Sequence, residues 1–423
     1  MGRGATISAD ADSGQARIDW ADSQMPVLTE VRERFTRERP LDGVSVAACL
    51  HVTAETANLV RALIAGGAQV GLCAANPLST QDDVVAALGE RHGATVLAAR
   101  GESAVQYAEH VRVLVGSAPQ ITIDDGADLL SAIHESASSH AATMLGGTEE
   151  TTAGLLRVRA LAEQGALACP VLAVNESRTE RAFNDRFGTG QSTIDGILRA
   201  TNLLLAGRTV VVLGYGWTGR GVALRARGAG ASVIVCEVDP LRALEARMEG
   251  YEVMGALAAA ERGDVFVTVT GGRDVLRGPH FERMKDGAVL ANAGHFDVEI
   301  NLEDLRALAV GGRREALPLV EEHTLSDGRR LNLLAQGRVV NLAAGEGHPA
   351  AVMDMSFAGQ ALCVEHLVAN AGRLPPGVLP VPDRIDDEVA RLKLESLGVR
   401  IDELSEDQRI YRSAWEWGTP PPA

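Results

Sequence analysis

The run RTVVVLGYGWTGRGVALRARGAGASVIVCEVDP (residues 208–240) reads as strand, glycine turn, helix and a second strand with an acidic end. Gly214, Gly216 and Gly219 have the spacing G-x-G-x-x-G directly after VVVL. Alone, that spacing is often only a turn; with a strand before it and a helix after it, it is a dinucleotide-binding turn. The first glycine permits the turn, the second lets a pyrophosphate approach the backbone, and the third lets helix and strand pack closely. Free N–H groups and the positive helix end stabilise the phosphates. Glu237 ends the second strand, where a carboxylate accepts hydrogen bonds from ribose hydroxyls and repels a 2′-phosphate, so NAD is expected rather than NADP. Thr218 lies within this turn and is grouped with the cofactor residues. Trp217 caps the turn, shields the pyrophosphate or simply packs, and Arg220 is expected along the helix flank.

The same alternation extends in both directions. Upstream, VSVAACL (44–50), AQVGLCA (68–74), TVLAA (95–99), QITIDDG (120–126) and ACPVLAVNES (168–177) read as strands. Helical patterns at 53–67, 82–93 and 103–115 separate the first four. QSTIDGILRATNLLLAG (191–207) reads as one long helix. VFVTVTG (265–271), GAVLANAG (287–294) and RVVNLAAG (338–345) read as further strands, PAAVMDMSFAGQALCVEHLVAN (349–370) as a returning helix, and PPGVLPVP (375–382) as a rigid extended linker. The fold class is α/β: two Rossmann-like domains plus a short helical carboxyl-terminal segment. A substrate domain is expected over 15–188 and 347–378, an NAD-binding domain over 189–346, and a linker with a helical segment over 379–423. The first dozen residues are expected to fray, and the chain to end in a short proline-rich tail.

Composition limits the possible functions. The 423 residues exceed one ordinary core. A net charge of -16 leaves no basic stripe for nucleic acid. No apolar stretch reaches membrane-spanning length, and the start lacks a secretory leader. Five dispersed cysteines point to a reducing cytoplasm, with neither disulfides nor a zinc site, and no metal is expected. Lys285 and Lys393 are the only lysines, so candidates for a lysine base are few.

In sheets of this kind catalytic side chains gather at the carboxyl ends of strands. His51 stands there, with Thr53, Glu55 and Thr56 opening the next helix. Ser79 and Thr80 stand at a second strand-to-helix turn. Asp124 and Asp125 end QITI, Glu149 and Glu150 lie beside Thr151 and Thr152, and Asn175 ends a further strand. His295 and His348 sit in glycine-bounded turns at the expected crevice between domains. Each has a bland alternative as a cap, turn former or solvated end. Together with a cofactor turn, they suggest redox chemistry on a polyol or nucleoside, with a hydroxyl losing hydride to the nicotinamide and its proton to a base.

From about Trp20 to Trp417 the chain resembles the S-adenosyl-L-homocysteine hydrolase family. The resemblance rests on HVTAETA, NPLSTQDD, DDGADL, EETTAG, NESRTERAFNDRFGTGQS, GYGWTGRG, EVDP with LEARMEGYEV, ANAGHFDVEI and NLAAGEGHP, in that order. It implies tightly bound NAD that oxidises an adenosine 3′-hydroxyl, elimination of the 5′-thiol after the 4′-proton becomes acidic, addition of water, and reduction of the ketone. His51 then matches the group assisting proton transfer at the 5′ position, and Asp125 the carboxylate near the 4′-proton. Glu150 and Thr53 match nucleoside contacts, with Glu55, Thr56, Ser79 and Thr80 in the same substrate group. His295 and His348 match residues around substrate and hinge. Asn341 matches a nicotinamide contact, and Thr151, Thr152, Asp185 and Asn292 join the cofactor set. A homo-oligomer, dimer or tetramer, is implied, with an NAD domain that closes over bound nucleoside.

The resemblance breaks at its catalytic motif. Glu180 stands where the family has Lys, Asn184 where it has Asp, and Asp185 where it has Asn. Glu180 accepts a proton but presents no ammonium, Asn184 is a poor base, and Arg178 or Arg181 supplies only permanent charge. Trp217 replaces the family's Asp in the glycine turn, and the end YRSAWEWGTPPPA lacks the lysine- and tyrosine-containing tail of longer members. Three readings stay open: reversible hydrolysis of S-adenosylhomocysteine, NAD-dependent 3′-oxidation and epimerisation of an adenosine-type nucleoside in specialised metabolism, and a non-catalytic binding protein.

Overall fold

The computed structural model describes residues 11–136 and 138–415. The expected frayed start therefore falls largely outside the described residues, as does the proline-rich end; Ala11–Asp22 is helical. Strands β1 (Ser45–Leu50), β2 (Gln69–Ala74), β3 (Thr95–Leu97), β4 (Ile121–Asp124), β5 (Gly146–Glu149) and β6 (Pro170–Ala173) come first. Then follow β7 (Thr209–Leu213), β8 (Ser232–Cys236), β9 (Glu252–Val253), β10 (Val265–Thr268), β11 (Ala288–Asn292), β12 (Arg313–Leu317), β13 (Val320–Thr324), β14 (Arg330–Leu334) and finally β15 (Gly377–Leu379).

They form two sheets, in the orders β15-β6-β5-β4-β1-β2-β3 and β12-β13-β14-β11-β10-β7-β8-β9. The first is parallel throughout, and the second is parallel except where β13 pairs with β12 and β14. Both contain the doubly wound order, which reverses between β1 and β4 and again between β7 and β10. Crevices open at those reversals, beyond the carboxyl ends of the strands. Parallel strands are covered on both faces, which is why β7 and β8 are runs of valine and isoleucine with little polar alternation.

Three sequence expectations are corrected. Residues 338–345 are not a strand: Val339 makes one bridge to Asn292, and Val340–Ala343 then turns helical. A short apolar run does not distinguish strand from buried helix, and here packing against helix Gly190–Thr201 decides. At Gly196 an added Cβ would lie 2.6 Å from the Val340 carbonyl oxygen, and Asn341 donates to Ser192 Oγ at 3.1 Å. The helix expected over 191–207 stops at Thr201, because Asn202 adopts a left-handed cap with φ of 50°. The proline-rich 375–382 is not merely a linker, since β15 within it pairs in parallel with β6 at the sheet edge, where prolines are tolerated. The β12–β13 hairpin was not foreseen. Its strands carry charges on an edge, which obscures their pattern.

The stretch 175–192 is helical in an unusual way. A 3-10 turn, Val174–Glu176, leads into a ten-residue π-helix, Glu180–Thr189, and then directly into Gly190–Thr201, which enters the second sheet. Helix Ala350–Ala369 brings the chain back. Helix Asp383–Ser396 buries Ile385, Val389 and Leu392 in the core of the first sheet. Its Asp386 ties down the entry to the π-helix, accepting from Arg178 N at 2.8 Å, Thr179 N at 3.1 Å and Thr179 Oγ1 at 2.5 Å.

All five cysteines are free and buried. Among the described residues no helix is long and apolar enough to cross a membrane, and no cluster of metal-ligating side chains occurs. Removing the Asp386 carboxylate strands the buried N–H and hydroxyl of Thr179 and the part-buried Arg178 N–H. Asp386→Ala is therefore expected to cost about 1–3 kcal/mol, read as a lowered urea midpoint with an unchanged slope.

Candidate active site

The carboxyl ends of the two sheets face a common cleft of about 1080 Å³. On the first sheet, the reversal between β1 and β4 brings His51 and Asp125 together, with His51 Nε2 3.1 Å from Asp125 Oδ2. His51 Nδ1 lies 2.7 Å from Ser79 Oγ. His295, from the loop after β11, reaches across so that its Nδ1 stands 3.4 Å from Asp125 Oδ1. Burial alone would raise the Asp125 carboxyl, but His51, then His295, holds it below the ordinary carboxylate value. Burial lowers His295 and brings His348 down to about 4, so both imidazoles are neutral near pH 7. His348 Nε2 pairs with Thr189 Oγ1 at 2.9 Å.

Thr53 and Thr56 open the helix after β1, Thr56 Oγ1 donating to the His51 carbonyl at 2.6 Å, and both line the cleft with Glu55. Burial raises the Glu55 carboxyl. Glu150 also lines the cleft and accepts from Gln360 Nε2 at 2.7 Å; burial, then the charges of Asp125 and Glu180, pushes it well above the usual carboxylate range. Thr151 caps the next helix, and Thr152 Oγ1 donates to Asn175 Oδ1 at 2.9 Å.

Two substrate candidates lie outside the lining. Ser79 stands behind His51 and supports it, and Thr80 is fully buried with an unpartnered hydroxyl. Burial at the turn before helix Asp82–His92 turns both away from the cavity. Glu149, which the sequence left open as a solvated side chain, is buried and accepts from Gly126 N and from the backbone and hydroxyl of Thr151.

The altered motif lines the cleft from the π-helix. Asn184 Nδ2 donates to Glu180 Oε1, and also reaches Ser356 Oγ at 3.4 Å, while Asn184 Oδ1 is buried without a partner. Burial, then the nearby Asp185 charge, pushes Glu180 up to about 8. Burial pushes Asp185 up to about 7, against the pull of Arg181. Neither lysine contributes: Lys285 pairs with Asp264 at 3.0 Å and Lys393 with Asp354 at 2.8 Å, both away from the cavity lining. Sequence reading missed Ser356 and Gln360. The available signal was two polar residues four apart in the mostly apolar middle of helix Ala350–Ala369, which places them on one face.

On the second sheet the glycine turn forms an open cradle. A Cβ on Gly214, whose φ is +107°, would lie 2.7 Å from the Val269 carbonyl oxygen, and one on Gly219 would lie 2.1 Å from that of Gly214. At Gly216 an added Cβ meets nothing nearer than 3.7 Å, so there is room for a phosphate beside a helix end that no side chain caps. Thr218 lines the cavity. Glu237 accepts from Tyr215 N at 2.7 Å and Val238 N at 2.7 Å, fixing the acidic strand end at the cradle. Asn341 Oδ1 is buried, unpartnered and part of the lining residue set. These residues fit NAD.

Of the cofactor candidates, Gly219 packs behind the turn outside the cavity lining, and so placed too is Asn292, the last residue of β11. Its side chain is fully buried, donates to the carbonyls of Gly294, Phe296 and Gly337, and stays outside the cavity lining. The strand end points it inward, where it ties down the loop that carries His295. Trp217 is 41 % exposed, with the Arg220 guanidinium 5.3 Å over its ring, and Arg220 also pairs with Glu245 on the helix flank.

Two doubly wound α/β units, one bearing a dinucleotide cradle and the other a histidine–carboxylate cluster, define a two-lobed NAD-dependent enzyme. The family model for S-adenosyl-L-homocysteine hydrolase matches residues 5–145, and that for its NAD binding domain matches 185–347. An adenosylhomocysteinase of Aquifex aeolicus is 57% identical over 97% of this chain and 98% of that protein. One of Thermococcus kodakarensis is 54% identical over 97% of each. An S-inosyl-L-homocysteine hydrolase of Methanopyrus kandleri is 51% identical over 97% of this chain and 96% of its own. The chain belongs to the S-adenosyl-L-homocysteine hydrolase family, and its cofactor is NAD.

Two outcomes test this geometry. Gly219→Ala forces backbone against backbone and is expected to cost about 1–3 kcal/mol in the cradle, a roughly 10- to 100-fold loss of NAD affinity; Gly228→Ala, with open space around it, leaves NAD content unchanged. The second concerns pH. Glu180 is raised from 4.5 to about 8 on folding, so its contribution to stability is full below pH 4.5 and is lost as pH rises through about 8. The stability of wild type relative to Glu180→Gln is therefore expected to fall across that window, read from urea midpoints at both ends.

Proposed function

We propose that this enzyme oxidises the 3′-hydroxyl of an adenosine-type nucleoside and, through the ketone, reversibly hydrolyses S-adenosylhomocysteine to adenosine and homocysteine. One observation carries the reading: the His51–Asp125–His295 cluster and the glycine cradle line the same cleft from opposite sheets. NAD supplies reversible hydride acceptance at the 3′ carbon. Gly214, Gly216 and Thr218, backed by Gly219, hold its pyrophosphate, Glu237 its ribose, and the free Asn341 Oδ1 its carboxamide. Thr151, Thr152 and Asp185 complete that side. Thr53, Glu55, Thr56 and Glu150 orient the nucleoside, with His348 at the hinge.

His51 moves the proton at the 5′ leaving group. Asp125 fixes its ring through Nε2, and Ser79 fixes it through Nδ1. Asp125, kept ionised by its histidines, faces the acidified 4′ position. We further infer an NAD-binding unit over 189–346 that closes on the substrate unit in a cytoplasmic homo-oligomer. Exposed Leu397, Ile401, Tyr411 and Trp415 support such an interface.

The Glu180–Asn184 pair favours a second reading. An oxidation site without an ammonium suits return of hydride to the other face of the ketone, which epimerises the nucleoside. Incubation with S-adenosylhomocysteine and thiol detection separates the two: free homocysteine supports hydrolysis, while a new nucleoside diastereomer without homocysteine supports epimerisation. The double change Glu180→Lys with Asn184→Asp restores an ammonium–carboxylate pair. It is expected to raise hydrolysis by a factor on the order of 10²–10⁴, measured as steady-state rate at matched NAD content. A folded, NAD-loaded double variant with no gain removes these two residues as the gate.

A further inference from the structure

Resting on that reading, we infer that Asp185 is the base for the reacting hydroxyl and that Glu180 is the uncharged hydrogen-bond donor that orients it. The helix winding supplies the first argument. In an α-helix the fifth residue on stands roughly 140° around from the first, so Asp185 would point away from Glu180. The i→i+5 register of Glu180–Thr189 closes that angle, so residues four and five positions on flank the first. Glu180, Asn184 and Asp185 consequently all line the cleft.

Hydrogen bonding divides the roles. Glu180 Oε1 is occupied by the Asn184 amide. No hydrogen-bond donor among the described residues reaches Asp185, and its nearby cation is Arg181, which itself pairs with Glu176 at 3.2 Å. A carboxylate with free lone pairs at the cavity wall accepts a proton, whereas Glu180 is already engaged by the Asn184 amide and the Ser356 hydroxyl. The charges around the pair act in the same direction. Glu150 from the first sheet and Asp386 from helix Asp383–Ser396 are both acidic, and no lysine faces the group. Holding a proton on Glu180 relieves that crowding. Burial pushes Glu180 up to about 8 and Asp185 to about 7, an order that leaves Asp185 the readier to ionise near neutrality.

The step balances. With NAD held in the cradle, the C–H electron pair would leave as hydride to it while the O–H proton passes to an Asp185 oxygen, and the reverse step would return both. The family's base position has thus moved by one residue, and the π-winding makes that shift usable.

The test uses the NAD-loaded protein. In a single turnover with adenosine, formation of reduced cofactor in wild type is expected to rise with pH through about 7. Asp185→Asn is expected to slow it by a factor on the order of 10²–10⁴ and flatten the profile, whereas Glu180→Ala slows it with the rise through about 7 kept, and Glu180→Gln, which keeps an uncharged donor, slows it less than Glu180→Ala. Infrared difference spectra of substrate-free protein between about pH 5 and 9 give an independent readout: a carboxyl band titrating near 7 absent in Asp185→Asn, and a higher one absent in Glu180→Gln. Wild-type rate and pH profile in Asp185→Asn overturn this assignment alone, as does a Glu180 ionised at neutral pH. If no nucleoside reduces the wild-type cofactor, the nucleoside reading falls and the base assignment falls with it.

Discussion

The Asp125 carboxylate is held by His51 from its own sheet and faced by His295 from the other, at 3.1 and 3.4 Å. Few contacts join the chemistry of the two units so directly, and the arrangement around them can be read as serving this one. Reversal of strand order between β1 and β4 puts His51 beside Asp125, and the Asn292 side chain ties down the loop that delivers His295. Gly126, with φ of +114°, keeps clear of that imidazole, since a Cβ there would lie 3.0 Å from His295 Nε2. The Asp125 carboxyl stays ionised in a buried space that alone would disfavour its charge, because His51 and then His295 stand beside it.

A second join between the units is made by backbone. A Cβ on Gly221 would lie 2.0 Å from the Arg186 carbonyl oxygen, and one on Gly190 2.5 Å from the Gly221 carbonyl carbon. The π-helix is thereby pressed against the helix that starts at the cofactor turn. The segment that carries Glu180, Asn184 and Asp185 therefore packs directly on the helix that opens at the cofactor turn.

Glu180 and its neighbours give the cleft an acidic character. The lining carries Asp125, Glu150, Glu180 and Asp185 against arginines at its rim. Four buried carboxyls so close cannot all ionise, and their spread, from Asp125 held low to Glu150 and Glu180 held high, is how the site carries them. A site with that proton inventory differs from one built around an ammonium even where the surrounding frame is the same.

The alternation of apolar runs with helical patterns, and G-x-G-x-x-G between strand and helix, already specified two parallel α/β units and an NAD cradle. Strand ends marked His51, Asp125 and Glu150, because residue type and spacing are local properties and a strand's end is where its side chains leave the sheet. Non-local decisions were hidden. Residues 338–345 are apolar enough for a strand and became a helix through contact with Gly196, far away in the chain. Asn292 looked like a cofactor ligand, yet its amide is turned inward by the carbonyls of Gly294 and Phe296 in the loop it opens and of Gly337, distant in the chain. Glu180, Asn184 and Asp185 were visible as letters, yet the i→i+5 winding that brings all three to the cleft exists only in the folded chain. Local patterning fixes which elements form, whereas competition among buried partners, settled only when the chain has closed on itself, fixes which way each side chain points.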